Sequence, residues 1–318
     1  MTEYVKWIRG HVGRQKLLLV SACAVVLNEA GQVLWQLRGD VNRWALPGGM
    51  LELNESLPEC VVREVREETG LTVQPLRVLG VYSSPDFEVI YPNGDQVQPV
   101  TVSFVCRIAG GSLQADGLET LDLAWFPADT VPQTTAWYQI ILHDFRSNQK
   151  AASFRQGSIG KRQDDVPFFK RIRRHIGQAR YITPSGVAFI QNEAGHILLQ
   201  RRGDNGEWGL LGGAMELGER VDLAVINEVR EESGLEVEPV RLIGVYSDRD
   251  YCITYPHGDQ LKIVSFFFEC RVTGGQLQAD GEESLELRYF APDSLPPLAK
   301  RNLRRVQDGL AKLTEVIF

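Results

Sequence analysis

A chain of 318 residues has room for about two domains, each burying its own core. With 43% hydrophobic and 24% charged residues it is neither disordered, collagenous nor a bundle of membrane helices. Its net charge of −7 is a balance of −5 over residues 1–150, +6 over 151–180 and −8 over 181–318, so duplex nucleic acid is not an expected partner. The basic stretch between two acidic blocks reads as a solvated hinge or, alternatively, as a phosphate-binding arm. An acidic chain that handles phosphates needs a divalent cation or a local cluster of arginines. Five cysteines, an odd number without metal-ligand spacing, point to a reducing cytoplasm. The apolar run at 17–27 is too short and interrupted to span a bilayer, and the residues before it lack signal-peptide grammar.

Along the chain, a basic amphipathic segment at 3–13 precedes a β-like run at 22–27, an Asn-Glu-Ala-Gly turn at 28–31 and a strand at 32–37. One long helical pattern follows, then short strands at 76–82, 101–106 and 121–126 and a closing helix at 133–145. An offset of 164 then aligns 8–132 with 172–296 without a gap, and 60 of the 125 pairs are identical. The repeat is of domain size. The expectation is therefore one domain over 1–145, a polar linker over 146–165 and a second domain over 166–318, each α/β with mixed strands.

The helical pattern lies in GGMLELNESLPECVVREVREETGL, residues 48–71. Ser56, Pro58 and Glu59 form a capping-box start and Gly70 a stop, with Leu57, Val61 and Val65 as the buried stripe. Glu64, Glu67 and Glu68, related by three and four residues, put three carboxylates on one face. Such a cluster repels itself unless a cation neutralises it, and hard oxygen ligands suit Mg²⁺. A solvated helix with Arg63 and Arg66 interleaved among the acids is the plainer alternative.

This stretch resembles the Nudix signature, which Gly49, Glu55, Arg63, Glu64, Val65, Glu67, Glu68, Gly70 and Leu71 match at every defined position. The resemblance implies two tandem α/β/α sandwiches and metal-dependent attack of water on a diphosphate linkage. The implied substrate is a nucleoside diphosphate joined to another moiety, and the implied cation is Mg²⁺, with Mn²⁺ as a substitute. It implies Glu64, Glu67 and Glu68 as metal ligands, with the Gly48 carbonyl as a further one. Arg63 would hold the glutamates in register, Glu55 would be metal-linked or structural, and Glu68 would be the general base ahead of Asp95.

The second copy reads GGAMELGERVDLAVINEVREESGL over 212–235. Gly212, Gly213 and Glu219 are kept, as are the implied ligands Glu228, Glu231 and Glu232. Asn227 stands where Arg63 stands, and Leu211 replaces Pro47. An asparagine amide supplies neither the charge nor the fork of a guanidinium, so this copy is expected to be weakened or redirected, with a fully active enzyme that tolerates the change as the alternative. The alternative reading of the whole chain is a nucleotide-binding regulatory or sensor protein with one or both domains silent.

Outside the box, Arg38 and Arg202 end the second strand of each copy and are candidate phosphate ligands, with a surface salt bridge as the alternative. Trp44 and Trp208 either pack their loop or stack on a base. YPNGDQ at 91–96 and YPHGDQ at 255–260 read as hairpin turns.

Overall fold

The computed structural model describes residues 2–162, 166–255 and 257–318. The first unit runs α1 (Glu3–Val12), β1 (Leu17–Leu27), β2 (Val33–Arg38), β3 (Arg43–Ala45), β4 (Gly48–Met50), α2 (Leu57–Thr69), β5 (Leu71–Tyr82), β6 (Val89–Ile90), β7 (Gln96–Gly111), β8 (Thr120–Phe126) and α3 (Ala136–Arg146). β1 is central. β7 lies parallel to it from Leu17 opposite Val97 to Leu27 opposite Arg107, and β4 pairs antiparallel with it, Cys23 opposite Gly48. Covered on both faces, β1 reads as a continuous apolar run rather than an alternation. β5 continues the sheet antiparallel beyond β7, while β2, β3 and β8 join β1 only through Leu27 opposite Val33.

Alternate residues of β1 face opposite layers. Cys23 and Val25 pack with Leu79, Tyr82, Ile141 and Leu142 beneath α3. On the other side α2 lies against β1, β4 and β5 and buries Leu57, Val61 and Val65. The sheet is mixed and sits between helices, the expected α/β/α sandwich.

The second unit repeats this with α4 (Phe168–Ile176), β9 (Tyr181–Ile190), β10 (Ile197–Arg202), β11 (Trp208–Gly209), β12 (Gly212–Ala214), α5 (Val221–Ser233), β13 (Leu235–Tyr246), β14 (Cys252–Thr254), β15 (Gln260–Gly275), β16 (Ser284–Phe290) and α6 (Lys300–Leu310). β9 and β15 are the parallel pair. β10, β11 and β16 meet β9 through Gln191 opposite Ile197, the repeat equivalent of Leu27 opposite Val33.

The 146–165 stretch, a polar linker by composition, is in part held against the units it joins. The chain divides between Ser158 and Ile159, and the residues before that point pack on the first unit. Ser153 donates its amide to Leu79 O at 3.0 Å and accepts from Val81 N at 2.7 Å, as an added edge strand. Gln156 donates to Asp144 and Ser158 to Asp86. Ile317, one repeat length later, makes the same pair of bonds with Ile243 and Val245, so the structural repeat extends beyond the sequence match. Gly160 bridges antiparallel to Glu219 in the second unit. Residues 163–165 of the stretch lie outside the described residues, as does Pro256 of the YPHGDQ turn.

Candidate active site

The site of the first unit is built where α2 crosses β4, and its glycines have steric reasons. Gly48 has φ 151°, and a Cβ there would meet Ala22 O of β1 at 2.3 Å. A Cβ on Gly49 would meet the Glu64 carboxylate at 2.4 Å. This pair lets an acidic side chain lie directly on the strand. α2 is positioned by its ends: Ser56 and Glu59 form the capping box, Pro58 sits in the first turn, and Gly70 closes the helix in the left-handed region.

Arg63 organises the acids. Its Nε and one terminal nitrogen donate to the two Glu55 oxygens at 2.8 and 2.6 Å, and the other terminal nitrogen donates to Glu64 at 2.8 Å and Glu67 at 3.2 Å. It also reaches Met50 O at 3.1 Å. Glu55 itself accepts the Glu52 amide at 2.9 Å, which fixes the loop before the helix. Glu64 and Glu68 are buried, whereas the Glu67 side chain is 61% exposed. Burial pushes the Glu64 carboxyl above its ordinary range, against the pull of Arg63. Burial pushes Glu68 up to about 8, although it accepts the Gly48 amide at 2.8 Å.

In the second unit a Cβ on Gly213 would meet Glu228 at 2.2 Å, and the Gly212 amide donates to Glu232 at 2.8 Å. Gln200 donates to the other Glu232 oxygen at 2.8 Å. Burial raises Glu228 to about 8 and Glu232 to about 7. The expected lack of a guanidinium does not hold. Arg162, from the segment preceding α4, donates through Nε to Glu219 at 2.7 Å, and its terminal nitrogens reach Glu228 at 3.1 Å and Glu231 at 2.9 Å. Asn227 donates to the same Glu219 oxygen at 2.6 Å.

A second residue outside the box also arrives here. Oxygens of Glu228, Glu232 and Glu283 lie within 4.8 Å of one another, a grouping able to hold a metal ion, while Glu231 faces Arg162. Glu283 is delivered by the loop before β16, whose backbone accepts the Gly203 amide at 2.8 Å. A Cβ on Gly203 would collide with Glu282 O, so this glycine permits the approach. Glu119, the repeat equivalent, accepts the Gly39 amide at 2.9 Å. The recurrence of Gln-Ala-Asp-Gly-x-Glu in both copies was the available signal for this pair.

Arg38 and Trp44 line a cleft of about 130 Å³ that opens beside Gly48 and Gly49, together with Arg43, Tyr91, Trp137 and Tyr138. Arg38 is held by Asp40 through two bonds of 2.9 and 2.6 Å, and Arg202 by Asp204 at 2.9 and 2.7 Å. Trp44 packs edge-on against Phe126, and Trp208 against Phe290. Asp95, the second choice for a base, instead faces Arg9 at 3.6 Å and Asn93 at 2.9 Å.

Residues 17–145 and 182–309 each match the family model of the NUDIX domain. Over 102 residues the chain is 36% identical to an ADP-ribose pyrophosphatase of Methanocaldococcus jannaschii, covering 32% of this chain and 56% of that protein. Over 117 residues it is 35% identical to a MutT-like protein of Streptomyces ambofaciens, covering 37% and 69%. A crystal structure of an ADP-ribose pyrophosphatase from Streptococcus suis aligns with 25% identity over 42% of this chain and 96% of that one, with a TM-score of 0.33. Among the described residues no helix is long and apolar enough to cross a membrane. The chain belongs to the NUDIX domain family, two copies of the domain in tandem, and with it to the hydrolases of phosphoanhydride bonds.

Proposed function

We propose that both units are Mg²⁺-dependent pyrophosphohydrolases that cleave the diphosphate linkage of a nucleoside diphosphate joined to another moiety. The observation that carries this reading is the pairing, in each unit, of a glycine-rich strand with buried or half-buried glutamates, some of which an arginine bonds. Glu64, Glu68 and Glu232, buried, and Glu228, half-buried, have raised pKa values and form donor sets that a hard divalent cation would complete. Glu64, Glu67, Glu68 and the Gly48 carbonyl would hold it in the first unit, and Glu228, Glu231, Glu232 and Glu283 in the second; Mn²⁺ would substitute. When bound, the cation lowers the pKa of water and offsets charge on the diphosphate.

The chain's own side chains supply the rest. Arg63 and Glu55 keep the carboxylates in place, and Glu68 Oε accepts the proton of the attacking water. Arg38, oriented by Asp40, faces the phosphates, and Trp44 with Trp137 and Tyr138 walls the cleft against the base. The five unpaired thiols are consistent with a reducing compartment.

The test is a panel of nucleoside diphosphate derivatives assayed with Mg²⁺, Mn²⁺ or chelator. Glu67→Gln and Glu68→Gln are expected to lower first-unit turnover by at least about 100-fold without altering the circular dichroism. Tight nucleotide binding with no turnover on any member would favour the sensor reading instead.

A further inference from the structure

We propose that Arg162 is the positioning residue of the second unit's carboxylate cluster, supplied by the segment ahead of α4 in place of the arginine its helix lacks. The proposal rests on the reading of this cluster as a cation-dependent site. Its first support is the identity of the partners. Arg63 bonds Glu55, Glu64 and Glu67, and Arg162 bonds Glu219, Glu228 and Glu231, which are the same three positions of the repeat. In both cases Nε goes to the early glutamate; one terminal nitrogen of Arg63 serves Glu64 and Glu67 together, while the two of Arg162 divide between Glu231 and Glu228.

The second support is the room made for it. At position 227 the shorter asparagine donates to Glu219 and accepts from Arg230 at 3.0 Å, bonding neither Glu228 nor Glu231, which leaves those two carboxylates to a side chain from outside the helix. The third is the anchorage. Gly160 bridges to Glu219 itself, so the backbone two residues before Arg162 is fixed to one of its ligands. The Glu219 carboxylate is fully buried, and a buried carboxylate requires a cation or several donors. One planar guanidinium serves three carboxylates here, which a lysine ammonium on its single point of charge cannot reproduce.

The experiment uses the full chain with Glu64→Gln and Glu68→Gln in the first unit, so that cation binding and turnover report the second. Mn²⁺ affinity by calorimetry, kcat and KM are measured for this parent, for Arg162→Ala, for Arg162→Lys, and for Arg162→Ala combined with Asn227→Arg. Arg162→Ala is expected to weaken Mn²⁺ binding and lower kcat by about 10–100-fold, with KM much less affected. Arg162→Lys is expected to recover a minor part and Asn227→Arg most of both, which a merely structural role would not produce.

Mn²⁺ affinity and kcat within about twofold of the parent in Arg162→Ala would overturn the proposal. So would a loss that Asn227→Arg fails to restore in a variant that still melts cooperatively. If the parent binds Mn²⁺ but hydrolyses nothing, the hydrolase reading of this unit fails alone, and the same affinity series decides the role of Arg162. A parent that binds no Mn²⁺ overturns both.

Discussion

The first box helix buries Glu64 and Glu68 against a strand, and the second buries Glu232 and half-buries Glu228, so desolvation sets how these acids respond to pH. Glu68 and Glu228 are raised to about 8 and Glu232 to about 7. A carboxyl raised above its unfolded value of about 4.3 adds stability below that pH and loses it as pH rises through the folded value. Without a cation, stability should therefore decline between about pH 5 and pH 8, and a divalent ion, competing with those protons, should restore it. Melting curves with and without Mg²⁺ should show a larger cation-induced rise in Tm near pH 8.5 than near pH 6. An equal rise at both would contradict the raised values. Gly49→Ala tests the same geometry sterically: a Cβ within 2.4 Å of Glu64 must displace it, and turnover of the first unit should fall by about 100-fold with the fold intact. The carboxylates were legible from spacing because three- and four-residue steps define a helix face. Arg162 was not, since no local period ties it to a helix some sixty residues later.

The elements that hold these residues differ in how far local rules fix them. α2 carries its own start and stop, and Ser56→Ala should cost about 1 kcal/mol in the unfolding of the first unit, measured by denaturant titration. α5 has Arg220 at its N-cap with no side-chain capping bond; the Arg220 side chain pairs with Asp222 of the helix's own first turn in a buried ion pair at 2.7 Å. The first copy's cap was therefore readable from sequence and the second copy's was not. β1, β2 and their hairpin turn were readable from apolar patterning and the Asn-Glu-Ala-Gly turn. β3, β4 and β6 span two or three residues each, too few for any period, and β4 is largely glycine. It is a strand because β1 pairs with it, a tertiary cause that propensity does not record.

At the scale of the molecule, the second copy keeps the carboxylates of the first and differs at positions that line the first unit's cleft. Arg43, Trp137 and Tyr138 of the first unit are replaced by Glu207, Arg301 and Asn302 at the repeat positions. An aromatic wall is exchanged for a polar, charged one, so the two units should prefer different nucleotides in a common panel. The segment between them is largely tied down, by Ser153 on one unit and Gly160 with Arg162 on the other. Limited trypsin digestion should make its first cut at Lys150, in the exposed stretch between α3 and the Ser153 pairing, and leave cooperatively melting fragments, read by mass spectrometry and calorimetry; a first cut inside either repeat would contradict this.

Both carboxylate clusters are expected to support hydrolysis. This is tested by kcat/KM over the nucleotide panel for three full-length variants: Glu64→Gln with Glu68→Gln, Glu228→Gln with Glu232→Gln, and all four together. The account predicts that each pair of substitutions abolishes one part of the substrate profile and spares the other. All four together should reduce every activity by at least about 100-fold. Loss of the entire profile on substituting the first unit alone would show that the second unit, for all its preserved geometry, does not hydrolyse these substrates.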